Sequence, residues 1–281
     1  MATTIVTDSG CDLSRSEAAG LGIEIIPVWI LFGEERYRDG IDIDRKSFFS
    51  RMKAGEIAKT EPATEQQFRE TFARIVGAGN DAVVIPLSSQ ISENYARACS
   101  AAKEFGGKVV VVDSRGASGM EALLAVYAKE LADKGATTAE IAKKVDPRGL
   151  KYAVYFAVPD LTVLGRSGRL PKAVVALGSM LNVSLVLKMN EQGAIGPAGQ
   201  SFSFDKTVEI MVDAVVRSID RSPNARIAFG HIEAPEVLAK ARATLEAKLG
   251  HPPAQELVHE GSLTVAAHMG PGAIGIFAIV P

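Results

Sequence analysis

The pattern that most constrains this chain is a unit met three times in its first half: an apolar run, a short polar loop, then a segment of helical period. "TTIVTDSGCDLSRSEAAGLG" opens with a short strand and turns at Thr7-Asp8-Ser9. "DAVVIPLSSQISENYARACSAAKEFG" has a buried-type strand followed by Ser88-Ser89-Gln90-Ile91-Ser92, and "KVVVVDSRGASGMEALLAVYAKELADKG" has four valines followed by Asp113-Ser114. In the helical segments apolar residues recur at three- and four-residue spacing, as in Leu123, Val126, Tyr127 and Leu131. Continuous Val/Ile runs alternating with amphipathic helices predict an α/β fold whose N-terminal, mostly parallel sheet is doubly wound, with helices on both faces. Between the first two units, the sequence predicts a strand, a hairpin or loop excursion, a helix near Arg45–Lys53, and a loop "AKTEPAT" that delivers Thr60.

Asp146-Pro147 and Gly149 are boundary residues. They predict an N-terminal domain over 1–149 and a C-terminal α+β domain over 150–281. In the latter, strands are expected at Tyr152–Val158, Val183–Met189, Arg226–Phe229 and Ala273–Val280. Helices are expected near Asp205–Arg221 and Pro235–Leu249.

Ligands of an open parallel sheet bind where strands end and helices begin. Helix N-termini there offer free N–H groups and partial positive charge to an anion. Ser88, Ser89 and Ser92 add hydroxyl donors, and a carboxylate or phosphate suits them; each also reads as a helix cap. Asp8 and Asp113 read as Asx-turn or capping residues. Arg166 and Arg169, around the turn in "GRSGRLPKA", form a plausible anion clamp or a solvated pair. The chain ends in "AHMGPGAIGIFAIVP", where His268 and the Gly270-Pro271-Gly272 corner precede the last strand. His268 reads as a ligand group, a base or a structural residue; His231 follows a strand, and His251 and His259 read as surface residues.

Several classes are disfavoured. The net charge of −2 and the lack of a basic block argue against nucleic acid. Two cysteines without a CxxC rule out a disulfide scaffold and suit a reducing compartment. No metal-ligand cluster, Walker lysine or G-x-S-x-G is present. The N-terminus has no signal-peptide pattern, and "AVVALGSMLNVSLVL" is too short and too polar to span a bilayer. A cytoplasmic protein without stable membrane insertion is the default expectation.

Five segments, "VTDSGCDL", "KTEPATEQQF", "PLSSQISENY", "LGRSGRL" and "AHMGPGAIG", stand in the order of the DegV family, which the chain resembles over almost its whole length. The resemblance implies a long-chain fatty acid in a buried apolar tunnel and no other cofactor. It implies a carboxylate held by Thr60 and Ser92 with His268 nearby, and Ser88, Ser89, Arg169, Gly270 and Gly272 complete the expected ligand-binding set. It further implies that the protein presents this carboxylate to the catalytic subunit of a fatty acid kinase, feeding phospholipid synthesis, while ATP chemistry stays with that partner. The chain departs from the family pattern at Glu61-Pro62-Ala63-Thr64 and at Glu93-Asn94, where Glu93 is expected to face solvent. It also has Phe202 where kinase-linked relatives often carry arginine. "MLNVSLVL" reads as tunnel lining or as ordinary core. Two other functions compete: a lipid store or sensor without a kinase, and a hydrolase or transferase using Ser92 or Thr60 with His268.

Overall fold

The computed structural model describes residues 2–178 and 183–281. The strands of the first half are β1 (Thr3–Asp8), β2 (Ile23–Ile26), β3 (Trp29–Phe32), β4 (Glu35–Arg38), β5 (Ala58–Glu61), β6 (Asp81–Ile85) and β7 (Val109–Val111). Its helices are α1 (Arg15–Leu21), α2 (Arg45–Lys53), α3 (Glu65–Gly77), α4 (Asn94–Ala102), α5 (Gly119–Asp133) and α6 (Thr138–Val145). Strands β2, β1, β6 and β7 lie side by side in that order, all parallel. Because successive residues of a strand face opposite ways, Val6, Ala82 and Val84 meet α3 and α4 residues such as Phe68, Phe72 and Ala98. Their neighbours Ile5, Val83 and Ile85 join Leu123, Leu124 and Ile141 on the other face. The sheet is doubly wound, as the Val/Ile runs predict.

Local signals explain the helix ends. Ser14 with Glu17, Thr64 with Gln67, and Thr137 with Glu140 form capping boxes at the starts of α1, α3 and α6. In α3, Phe68, Phe72 and Ile75 fall on one face and are buried.

One expectation is corrected. "AKTEPAT" is not only loop, because Ala58–Glu61 is β5 and pairs antiparallel with β3 in a three-stranded sheet ordered β4-β3-β5. Thr60 stands opposite Ile30 in that register. Only Ala58 of the strand is buried, so no alternation marks it.

The second half has strands β8 (Lys151–Ala157), β9 (Ser184–Met189), β10 (Ile195–Ser201), β11 (Arg226–His231), β12 (Gln255–Glu260) and β13 (Ile274–Val280). Its helices are α7 (Leu161–Arg166), α8 (Lys172–Gly178), α9 (Phe204–Ser218), α10 (Pro235–Leu249) and α11 (Leu263–Met269). The sheet runs β10-β9-β8-β13-β11-β12, and only β11 and β12 pair in parallel. Helices α9 and α10 cover one face through Met211, Val215, Leu238 and Leu245. The other face offers Val154, Phe156 and Phe277 to the same core that contains Ile5 and Leu123. Helix α5 therefore packs against β1 of the first sheet and against β11 and β13 of the second. The space beside it, between the two sheets, is where the cavities lie.

Candidate functional site

The site is assembled by α11, a seven-residue helix between β12 and β13. So short a helix is not stable alone, and its first turn is held from outside. Ser262 caps it by accepting from the Val265 N–H. Asp12 accepts from the Ser262 N–H at 2.8 Å, and Asp39 accepts from both the N–H and the hydroxyl of Thr264, at 2.9 and 2.6 Å. Two carboxylates at a helix N-terminus also complement its dipole. At the far end Gly270 (φ 71°) and Gly272 (φ 88°) turn the chain into β13.

Held in this way, α11 brings His268 to Thr60 across 208 residues of sequence, with Nε2 2.7 Å from Oγ1. The ring's Nδ1 is buried with no hydrogen-bond partner. Burial pushes the imidazole pKa down to about 3, and the Arg169 guanidinium pushes it the same way, so the ring is neutral at pH 7. A neutral imidazole has one N–H. If Thr60 donates to Nε2, the spare proton is on Nδ1; if Nε2 donates to Thr60, the spare proton is on the Thr60 hydroxyl. Either way the pair is left with one proton to give, and it suits an acceptor.

Arg169 adds charge. Its guanidinium donates to the carbonyls of Ser167 (2.5 Å) and Ile91 (3.4 Å). Among the described residues no carboxylate forms an ion pair with it, and burial lowers its pKa. Ser92 lies alongside; its hydroxyl accepts from the Asn94 N–H at 3.2 Å, and its own proton is free to be donated. Thr60, Ser92, His268 and Arg169 all line one small cavity of about 60 Å³. Its remaining wall is mostly apolar, with Val28, Leu87, Ile91, Ile195, Val265 and Met269.

A second cavity of about 60 Å³ shares Ile91, Ala117, Ile195, Val265 and Met269 with the first. Beyond those shared residues it is walled by Val154, Phe156, Met189, Ile232, Ala273 and Phe277 among others. The two, one with a polar lining group and one almost wholly apolar, lie against each other across the five shared residues and are termed the mouth and the compartment. On the outside, Thr60, His268 and Arg169 also face a surface groove with Lys59 and Arg166.

The expected ligand-binding set therefore divides. Thr60, Ser92, His268 and Arg169 converge. Ser88 and Ser89 do not: Ser88 donates to the Gly193 carbonyl at 2.8 Å and Ser89 to Asp113 at 2.6 Å, so both tie the loop together and neither lines the mouth or the compartment. Gly270 and Gly272 line neither cavity; they serve the turn, and Gly272 donates to the Ile232 carbonyl at 2.7 Å. Arg166 reaches only the outer groove. Glu93 is exposed and paired with Arg97, and Glu61 is exposed and paired with Arg36. Of "MLNVSLVL", Met180–Asn182 lies outside the described residues, and Leu185 and Leu187 are core; Met189, two residues beyond the segment, lines the compartment.

Sequence reasoning missed the layer beneath α11. Asp8, Asp12, Asp39 and Glu121 are all buried. Asp8 caps the turn Ser9–Cys11 as expected, but it also accepts from the Leu87 N–H and the Asn94 side chain. Burial raises Asp8 and Asp12 to about 6, and it raises Glu121 well above the ordinary carboxylate range. The signal in the sequence was Glu121 itself, a lone ionisable residue in the apolar run "GMEALLAV". Likewise His259, expected on the surface, is buried beside Glu17.

Fold and site together define an α/β protein with an apolar compartment beside a polar, proton-donating mouth. The DegV family model matches residues 2–280, and the chain belongs to the DegV family. A DegV domain-containing protein of Deinococcus radiodurans is 28% identical over 278 residues, 98% of each chain. A DegV family protein of Thermus thermophilus, described by its fatty acid binding, matches in structure with a TM-score of 0.92 at 27% identity over 100% of both chains. Bacillus subtilis DegV, described as a fatty acid binding protein, matches with a TM-score of 0.87 at 26% identity, again over 100% of both. Among the described residues no helix is long and apolar enough to cross a membrane.

Proposed function

We propose that this protein binds one long-chain fatty acid, with its tail in the apolar compartment and its carboxylate at Thr60, Ser92, His268 and Arg169. Residues 1–149 supply most of the mouth, and residues 150–281 close the compartment over the tail. The observation that carries the reading is the adjacency of the two cavities, which share five wall residues, because it sets acceptor-seeking groups beside an apolar space. The fatty acid binding described for the Thermus and Bacillus relatives supports it. Energetically, each buried methylene contributes about 0.8 kcal/mol, so a long tail gains on the order of 10 kcal/mol gross. The carboxylate loses hydration, and charge-assisted hydrogen bonds from Arg169 and the hydroxyls offset that loss. Solvent extraction of the purified protein followed by mass spectrometry is expected to yield one fatty acid per chain. A protein that comes empty and takes up no added acid contradicts the proposal.

The protein then acts as a cytoplasmic carrier that presents the carboxylate to a partner kinase. Phe202, 81% exposed where kinase-linked relatives often carry arginine, instead favours a store or sensor. Incubating loaded protein with the kinase catalytic subunit and ATP separates the two: acyl phosphate supports the carrier, and its appearance only with Phe202→Arg supports the store. A hydrolase is disfavoured by His268, since a base with a pKa near 3 and no group orienting Nδ1 is poorly matched to proton abstraction at pH 7.

A further inference from the structure

We propose that Phe277 is the stop that limits the length of acyl chain the compartment accepts; this rests on the fatty-acid reading above. Phe277 lies on β13, is buried, and lines the part of the compartment not shared with the mouth. Its ring occupies space left by two glycines from two elements. A Cβ on Gly119, at the start of α5, would lie 2.5 Å from ring Cδ2, and one on Gly275 of β13 would lie 2.6 Å from Cζ. Gly230 of β11 stands beside the same ring, where a Cβ would make ordinary contact at 3.4 Å from Cε2. Neither Gly119 nor Gly275 has a positive φ, so the backbone does not require glycine at these two positions. Space does. Glycine inside a helix or strand weakens the element, and here both weak points admit the same ring.

The surroundings make that ring a fixed end rather than a hinge. Ser118 donates to Asp12 beside it, and these two oxygens lie 3.4 and 3.8 Å from the Cβ position of Gly230. Asp12 and Gly261 line both the apolar compartment and a polar cleft on the other side, where Asp39, Asp42, Asp44 and Glu260 also stand. A methyl group pushed past the ring would therefore meet the hydrogen-bonded Ser118–Asp12 pair instead of apolar surface.

The test compares delipidated wild type, Phe277→Leu and Phe277→Ala. Each is offered an equimolar series of straight-chain saturated acids, and the retained acids are measured by mass spectrometry. The optimum is expected to move to longer chains in the leucine variant and further in the alanine variant. Retention relative to wild type should rise about fourfold for each additional methylene admitted. If the alanine variant does not fold, the leucine variant decides, since it keeps an apolar side chain in the glycine cage. Unchanged length profiles, with wild type still loaded, overturn the stop while leaving the fatty-acid reading intact. Wild type that retains no acid overturns both.

Discussion

Arg169 offers the sharpest test of where a ligand's charge sits. Its guanidinium faces the mouth and the outer groove at once, and among the described residues its hydrogen bonds go to carbonyls and no carboxylate is paired with it. Arg169→Gln removes the charge and keeps a polar side chain. A hydrogen bond to a charged group is worth about 1.5–3 kcal/mol, and two unit charges about 5 Å apart at an effective dielectric of about 20 attract by about 3 kcal/mol. The two estimates agree, and they predict a loss of roughly 10- to 150-fold in fatty-acid affinity. The substitution also disturbs the bonds to Ser167 and Ile91, so the loop could shift for reasons unrelated to charge. Titrating a fatty acid and the alcohol of the same chain length into both proteins, by displacement of a fluorescent lipid, separates these effects. Tail burial is common to both ligands and cancels. The acid is expected to lose affinity by the stated factor and the alcohol by only about fivefold, as for a neutral hydrogen bond of about 1 kcal/mol. Equal losses for acid and alcohol would mean that Arg169 only holds the loop, and the carboxylate would have to be placed elsewhere.

Three further outcomes are expected. Loading with a fatty acid should raise the His268 pKa from its depressed value of about 3, because a nearby carboxylate favours imidazolium; an NMR titration of the ring C–H signals that does not move on loading contradicts the proposed mouth. Asp12 titrates at about 6 in the folded protein against an ordinary 3.8, so between those values the folded state binds the extra proton, and this group's contribution to stability falls as pH rises through that window. Asp12→Asn abolishes that dependence, so urea unfolding should show the variant gaining on wild type from pH 4 to pH 7 by up to about 3 kcal/mol, and a constant difference refutes the assignment. Gly272→Ala places a Cβ 2.7 Å from the Pro159 ring at φ 88°, which should cost about 1–3 kcal/mol in denaturant unfolding; an unaffected midpoint would mean that the corner is not rigid.

What the sequence made legible follows from how each element is buried. The parallel strands β1, β6 and β7 were readable because both faces are covered and apolar residues run consecutively, as in Ile5-Val6, Ala82–Ile85 and Val109–Val111, and α10 was readable to the residue because Pro235 opens it and Gly250 (φ 78°) closes it. Both edges of the six-stranded sheet went unread. β10 contains Pro197 and a register shift beside it, and β12 buries only His259 of its six residues, so neither carries a two-residue apolar period. β5, with one buried residue of four, failed for the same reason. The mouth divided by the same physics. A serine's type shows that it can donate a hydrogen bond, but whether Ser88 donates to Gly193 or to a ligand depends on a hairpin more than 100 residues away.

The buried acids explain how so short a helix can hold a binding site still. Four carboxylates with no buried cation among the described residues are tolerable only if some are neutral or fully hydrogen-bonded. Burial points to Glu121 as the neutral member, since its Oε2 is buried without a partner among the described residues, and the Thr7 hydroxyl, with a single proton, lies within hydrogen-bonding distance of both the Ile85 carbonyl (2.9 Å) and Glu121 Oε1 (2.5 Å). If Thr7 gives its proton to Ile85, then Glu121 must donate to Thr7, which requires it to be protonated, in keeping with the strong upward pKa shift that burial imposes on it. A neutral Glu121 removes one like charge from beside Asp8, whose remaining demand is met by three donors: Gly10, Leu87 and Asn94. That leaves Asp12 and Asp39 to hold the first turn of α11 at Ser262 and Thr264. The position of His268 at the end of that helix is thus set by acids that do not themselves line the mouth but hold residues that do, such as Thr264 and Leu87, and proton balance in this layer governs how firmly the mouth is built.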